Sequence, residues 1–334
     1  STGELSFGAG VSSDVGLLAT AGIQERNLLG RGQNFNLNFT FSGVNQNIEA
    51  GFTEPYFLNR DVSAGFDVFN ISRRFRESAF ERDRLGFGLR LGYPLAEYLA
   101  QEIRYGLKSE DLRAFAGASP IIAAQQGEFV ISSVGQTLAY NRLDRRLNPS
   151  DGHFYRLSND LAGLGGDREW LRTKIEAGKY EPFWDGWVAS LLGEVGYITG
   201  LGGQDVKISD RFFVGGRDFR GFEVAGLGPR DTSNNNALGG NFLYKATTEL
   251  TFPLGLPKEL GIKGRVFSVA GSLQDVDEDS FPNLSDTGSL RASVGFGISW
   301  DSPFGPVQLD YARPILSETF DVKEFISFGI GTFF

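Results

Sequence analysis

Residues 34–41 read NFNLNFTF, and this stretch decides the fold. Phe35, Leu37, Phe39 and Phe41 fall on one face of an extended chain, and Asn34, Asn36, Asn38 and Thr40 on the other. A period of two marks a strand with one apolar and one polar face. The rhythm returns at 84–93, RLGFGLRLGY, where Leu85, Phe87, Leu89, Leu91 and Tyr93 alternate with Gly86, Gly88, Arg90 and Gly92. It returns again at 289–301, SLRASVGFGISWD. These segments run to about ten residues or more, where sandwich strands average nearer six. Their polar faces also carry glycines and charges. Both features favour a transmembrane barrel, oil outside and water inside, over two stacked sheets.

Composition agrees. The 334 residues include 45 Gly and 30 Phe on an unremarkable 41% of hydrophobic residues. That is the profile of a barrel whose apolar and polar faces average away. No run approaches the roughly 20 apolar residues of a membrane helix. The absence of Cys removes disulfides, thiol catalysis and thiolate metal sites together. A net charge of −9 disfavours a nucleic-acid partner.

Candidate strands lie near 4–11, 15–27, 32–43, 46–57, 61–74, 79–93, 98–113, 127–142, 152–164, 168–183, 187–201, 240–254, 261–274, 289–301, 305–314 and 323–334. Segments 61–74 and 261–274 alternate poorly. The tally of about 16 is even, as bacterial barrels require, and wide enough for an aqueous lumen. The expectation is an all-β, 16-stranded antiparallel transmembrane β-barrel occupying 1–334 as one domain. Tight connections carry turn residues at 29–32, 58–61, 184–186 and 302–306, and long ones run from Ala114, Gly202 and Gln274. Aromatic residues near strand ends, among them Tyr180, Trp184 and Trp300, suit the headgroup level.

One stretch does not alternate. Arg211 to Asp231, RFFVGGRDFRGFEVAGLGPRD, carries five glycines, and its Arg217, Arg220 and Arg230 offer planar donor forks. A loop of this length usually has a role. RDFRGF at 217–222 resembles the lumenal-loop motif of the BamA-type outer-membrane assembly family. The resemblance covers essentially the whole chain: ERNLLGRGQ at 25–33, FTEPYFLNRDVSAGFDVF at 52–69, DRRLNPSDGHFYRLS at 144–158, GGNFLYKATTELTFPL at 239–254, SWDSPFGPVQLDYARP at 299–314 and FISFGIGTFF at 325–334. It implies an insertase that folds nascent outer-membrane β-barrel proteins into the bacterial outer membrane. It also implies periplasmic POTRA domains before Ser1, accessory lipoproteins that bind through them, and a long extracellular loop folded into the lumen. The motif would comprise Arg217, Arg220, Gly221 and Phe222, with Arg220 paired to Glu249 on the next strand. Alternation independently turns Lys245, Thr247, Glu249 and Thr251 to the lumen, where a guanidinium fork could grip Glu249 bidentately. Where many relatives have a second acid one strand on, this chain has Val269, which puts a second partner for Arg220 in doubt.

The first and last strands suggest a weak seam. Leu5, Phe7, Ala9 and Val11 face lipid, and Glu4, Ser6, Gly8 and Gly10 the lumen. The last strand turns Ile326, Phe328 and Ile330 outward, and Ser327, Gly329 and Gly331 inward. Glycine weakens strands. The seam is expected to join Glu4, Leu5, Ser6, Phe7 and Gly8 to Phe328, Gly329, Ile330 and Gly331, with Gly8 near Ile330. The terminal Phe334 resembles the signal by which outer-membrane clients are recognised.

Nothing marks an enzyme. His153 is the only histidine and no GxSxG, HExxH or GxxxxGK[ST] occurs. Asp275, Asp277 and Asp279 mimic the start of a calcium loop, without its glycine or its later glutamate; a solvated external loop is expected. No cofactor or metal is expected. The alternative function is a protein-translocating pore of the same superfamily.

Overall fold

The computed structural model describes residues 3–278, 281–303 and 305–331. Sixteen strands run up and down in chain order: β1 (Gly3–Ser12), β2 (Gly16–Leu28), β3 (Gln33–Ser42), β4 (Asn45–Glu54), β5 (Ser63–Phe75), β6 (Phe80–Ala96), β7 (Leu99–Ala114), β8 (Gly127–Leu143), β9 (Gly152–Gly166), β10 (Trp170–Trp184), β11 (Trp187–Gly200), β12 (Phe242–Pro253), β13 (Ile262–Gln274), β14 (Arg291–Ser302), β15 (Gly305–Leu316) and β16 (Ile326–Ile330). Each pairs antiparallel with its neighbours in sequence, and β1 meets β16 to close the barrel.

The burial pattern is inverted relative to a soluble protein. Over residues 85–91 of β6, Leu85, Phe87, Leu89 and Leu91 are exposed, while Gly86, Gly88 and Arg90 are half-buried. Phe7 is 77% exposed, Leu17 73% and Phe296 61%. Large apolar side chains at such exposure on strand after strand suit hydrocarbon, not water. Tyr180, expected at the headgroup level, instead lines the lumen in one cavity with Glu249.

Up-and-down order puts every odd-to-even connection at one end of the barrel, and the three long connections all belong to that set. They interlock across the mouth. Arg230–Asp231, Asn236–Ala237 and Leu284–Ser285 form a three-stranded sheet. Ser119, beside the short helix Pro120–Ala123, donates from Oγ to Asp231 Oδ2 at 2.6 Å. Ile121 and Ile122 pack on Phe75, Phe80, Leu112, Ile208 and Leu238. Asp275 and Asp277 are exposed, as a solvated loop requires, and Asp277 also ties the loops together. Its carboxylate accepts from Val206 N at 2.6 Å and Asn241 Nδ2 at 3.2 Å, and so buttresses two loops; Asp279 lies outside the described residues.

The loop also explains why 261–274 alternates poorly. The inward face of β13 carries Phe267, Val269 and Leu273, all buried against the apolar loop residues Val214, Phe219, Phe222 and Leu227. Val266 on the other face is exposed. A strand covered on both sides loses its polar face. One boundary differs more than the rest. The last strand was expected to occupy 323–334 and starts at Ile326, because the preceding residues bond to the loop instead: Val322 N donates to Gly226 O at 2.8 Å, and Phe222 bridges to Lys323. Phe334 lies outside the described residues.

Candidate functional site

Arg220 and Glu249 meet inside the barrel. Arg220 Nη1 donates to Glu249 Oε2 at 2.8 Å. The grip is a single bond rather than the expected fork, because the guanidinium is shared. Its Nη1 also lies 3.6 Å from Asp310 Oδ2. Arg265 completes a quartet, donating from Nη2 to Asp310 Oδ2 at 2.6 Å and standing 3.6 Å from Glu249 Oε1. The second acid thus exists, supplied by β15 rather than by the strand after Glu249. Position 269 holds valine because its side chain lies in the apolar cluster. Two cations and two anions balance, the condition for keeping charge away from bulk water. The Arg220 guanidinium carbon also lies over the Phe267 ring, 3.4 Å from its centroid.

The neighbouring motif residues fix this geometry. Gly221 has φ +103, and a Cβ there would meet Ser293 Cβ at 3.0 Å, so only glycine lets the loop approach β14 this closely. Ser293 Oγ donates to Arg220 O at 2.5 Å. Phe222 is fully buried, edge-on to Phe219 with ring centroids 5.4 Å apart. Asp218 pairs with Lys245, which also reaches Glu194 at 3.0 Å.

Among the described residues, two pairs join β1 to β16, Val11↔Ile330 and Ser12↔Gly329. Ten pairs join β1 to β2. Ser13 N adds a bond to Phe328 O at 3.0 Å. The register corrects the expected seam. Ile330 faces Val11, not Gly8, and Glu4, Leu5, Ser6, Phe7 and Gly8 pair with β2 and with no described residue of β16. Gly331 lies past the end of β16, its N–H donating to Pro306 O at 3.1 Å. Val11 was read from the sequence only as lipid-facing, and Ser12 and Ser13 were not singled out; they look like the rest of their strand.

The motif loop straps this joint from inside. On one side Arg217 N donates to Asp14 Oδ2, in the turn after β1, at 3.1 Å. On the other, Glu223 N donates to Val322 O at 3.0 Å and Glu324 N to Gly221 O at 3.2 Å, just before β16. Burial, and then the Asp14 and Glu223 carboxylates, raise the Glu324 carboxyl above its ordinary range. The folded state therefore holds this proton more tightly than the unfolded chain. The resulting penalty is absent below the ordinary glutamate range and fully present above the raised value. Glu324→Gln should accordingly raise the thermal midpoint at neutral pH and change it little in acid below that range; a midpoint difference independent of pH would reject the repulsion.

The Omp85 superfamily domain matches residues 27–334. The outer membrane protein assembly factor BamA of Neorickettsia risticii is 32% identical over 332 residues, 98% of this chain and 45% of that protein. The protein of the same name from Nitratidesulfovibrio vulgaris is 28% identical over 340 residues, 100% of this chain and 42% of that one. The crystal structure of BamA from Haemophilus ducreyi lacking POTRA domains 1–3 superposes with a TM-score of 0.89 at 26% identity, over 99% of this chain and 70% of that chain. The chain spans about half the length of the curated relatives it matches.

Proposed function

The chain belongs to the Omp85 superfamily, and we propose on that premise that it is the outer-membrane barrel of an assembly factor that inserts β-barrel proteins. The observation that carries this reading is the joint between β1 and β16, which holds two residue pairs among the described residues. Parting it would present backbone N–H and C=O groups to the bilayer, where each unpaired group costs several kcal/mol. A nascent outer-membrane strand that pairs with the β1 edge removes that cost by β-augmentation. The client gains a template, and the barrel regains its closure when the client leaves.

The clients are nascent outer-membrane β-barrel proteins and the solvent is outer-membrane lipid. The long loops face the cell exterior, and accessory lipoproteins engage POTRA domains outside these residues. The filled loop-side mouth weighs against the translocating-pore reading, which needs a clear lumen. Liposomes carrying the protein should fold a urea-denatured small barrel client faster than empty liposomes, read as a heat-modifiable gel shift. Equal rates would sink the proposal.

A further inference from the structure

A cavity of about 330 Å³ lies under loop residues 209–213, against the lumenal faces of β6, β7 and β10. That is the lower end of ligand-site volumes, roughly 300–1,000 Å³. Arg82, Arg84, Lys108 and Arg172 line it, and Arg168 is within 3.8 Å of Asp210, which also lines it.

Two carboxylates face these five cations: Glu110 is hydrogen-bonded, while Asp210, which lines the cavity, makes only long ion pairs, and its buried Oδ2 accepts no hydrogen bond. Glu110 accepts from Arg84 Nε at 2.7 Å and Ser209 Oγ at 2.5 Å, with Arg168 Nη2 at 3.5 Å. Asp210 lies 3.8 Å from both Arg84 and Arg168. The remaining cations at the cavity have their own partners: Arg211 is held by Glu278, and Arg73 lies near Glu77 and over Phe75. Arg82, Lys108 and Arg172 are left without a carboxylate partner among the described residues. Arg82 Nη1 and Arg172 Nη2 donate to backbone carbonyls, and their buried Nε–H groups have no acceptor.

We propose that this cavity is an anion site for a tetrahedral oxyanion of the phosphate class, held by Arg82, Lys108 and Arg172. Orphaned buried donors on positive groups are costly to maintain, and an anion removes both costs at once. Phosphate oxygens accept from guanidinium and ammonium donors together, and the guanidinium fork matches them.

The test uses the protein in neutral detergent with inorganic phosphate as the probe. Phosphate should raise the thermal midpoint above an equal ionic strength of chloride, and calorimetric titration should show saturable binding. Arg82→Gln with Arg172→Gln should weaken binding by roughly tenfold or more, while Arg156→Gln, whose partner is Glu176, should not. Should the double variant fail to form a barrel, Lys108→Gln and the unmodified protein's midpoint difference still decide. Micelles doped with phosphatidic acid will either displace the phosphate, which assigns a lipid headgroup, or leave it bound, which assigns free phosphate. Equal midpoints in phosphate and chloride without saturable binding, or full binding by the double variant, would overturn the site.

Discussion

Cysteines introduced at Val11 and Ile330 and oxidised to a disulfide reduce client insertion to the rate of protein-free liposomes, and reduction restores it. The two residues are register partners, and Cα atoms of paired strands sit at about 4.5–5.5 Å, within disulfide reach. The chain has no cysteine of its own, so the bridge formed is the one intended. The lock matters because, among the described residues, few ladder pairs join these two strands directly. The two pairs found there are few enough, at several kcal/mol per backbone group left unpaired in lipid, to be opened by a client strand that supplies replacement partners. The ten pairs between β1 and β2 are not. A bridge at Leu5 and Ile23, partners across that second joint, therefore serves as the control and leaves insertion unchanged. If the Val11–Ile330 lock leaves full activity, clients do not enter here. If the Leu5–Ile23 bridge also abolishes it, general rigidity rather than seam opening controls insertion.

Strand rhythm was legible along most of the wall because a barrel wall is a local structure. Each residue's face follows from its parity, and neighbours in sequence are neighbours in space. Where parity failed, long-range contact was the cause. Residues 261–274 looked irregular because the motif loop buries Phe267, Val269 and Leu273. Residues 323–325 fall outside the last strand, expected at 323–334, because the loop holds this segment: Lys323 bridges to Phe222 and Glu324 N bonds to Gly221 O. The site divides in the same way. The Arg220–Glu249 pair was foreseen from the motif and from the parity of β12. Arg265 and Asp310 also sit on inward parity. No pattern in the sequence says which of many lumenal charges lie at one height, since that depends on the stagger between strands. The seam register was hidden for the same reason. Alternation says which way Val11 and Ile330 point, and cannot say that they face each other.

Arg220→Ala should destabilise the barrel by about 3 kcal/mol, the scale for removing one partner from a buried ionic group, read as a lower temperature for loss of heat-modifiable mobility. The quartet then holds one cation against two anions, Glu249 and the nearly fully buried Asp310. Loss of packing over Phe267 adds to this. Arg220→Lys keeps the charge but not the planar guanidinium, and should fall between the two. Charge balance is what separates this account from simple loss of volume. Adding Asp310→Asn to Arg220→Ala removes one of the two anions and should recover part of the lost stability, although Asp310→Asn alone is destabilising through Arg265. A side chain that acted only by filling space would make the two changes additive. Recovery would also bear on insertion. The quartet anchors the loop that straps β1 to β16, so Arg220→Ala should raise the spontaneous opening of the seam, and the double variant should lower it again. Additive losses, or Arg220→Ala with unchanged stability and unchanged insertion, would mean that the strap is not anchored here.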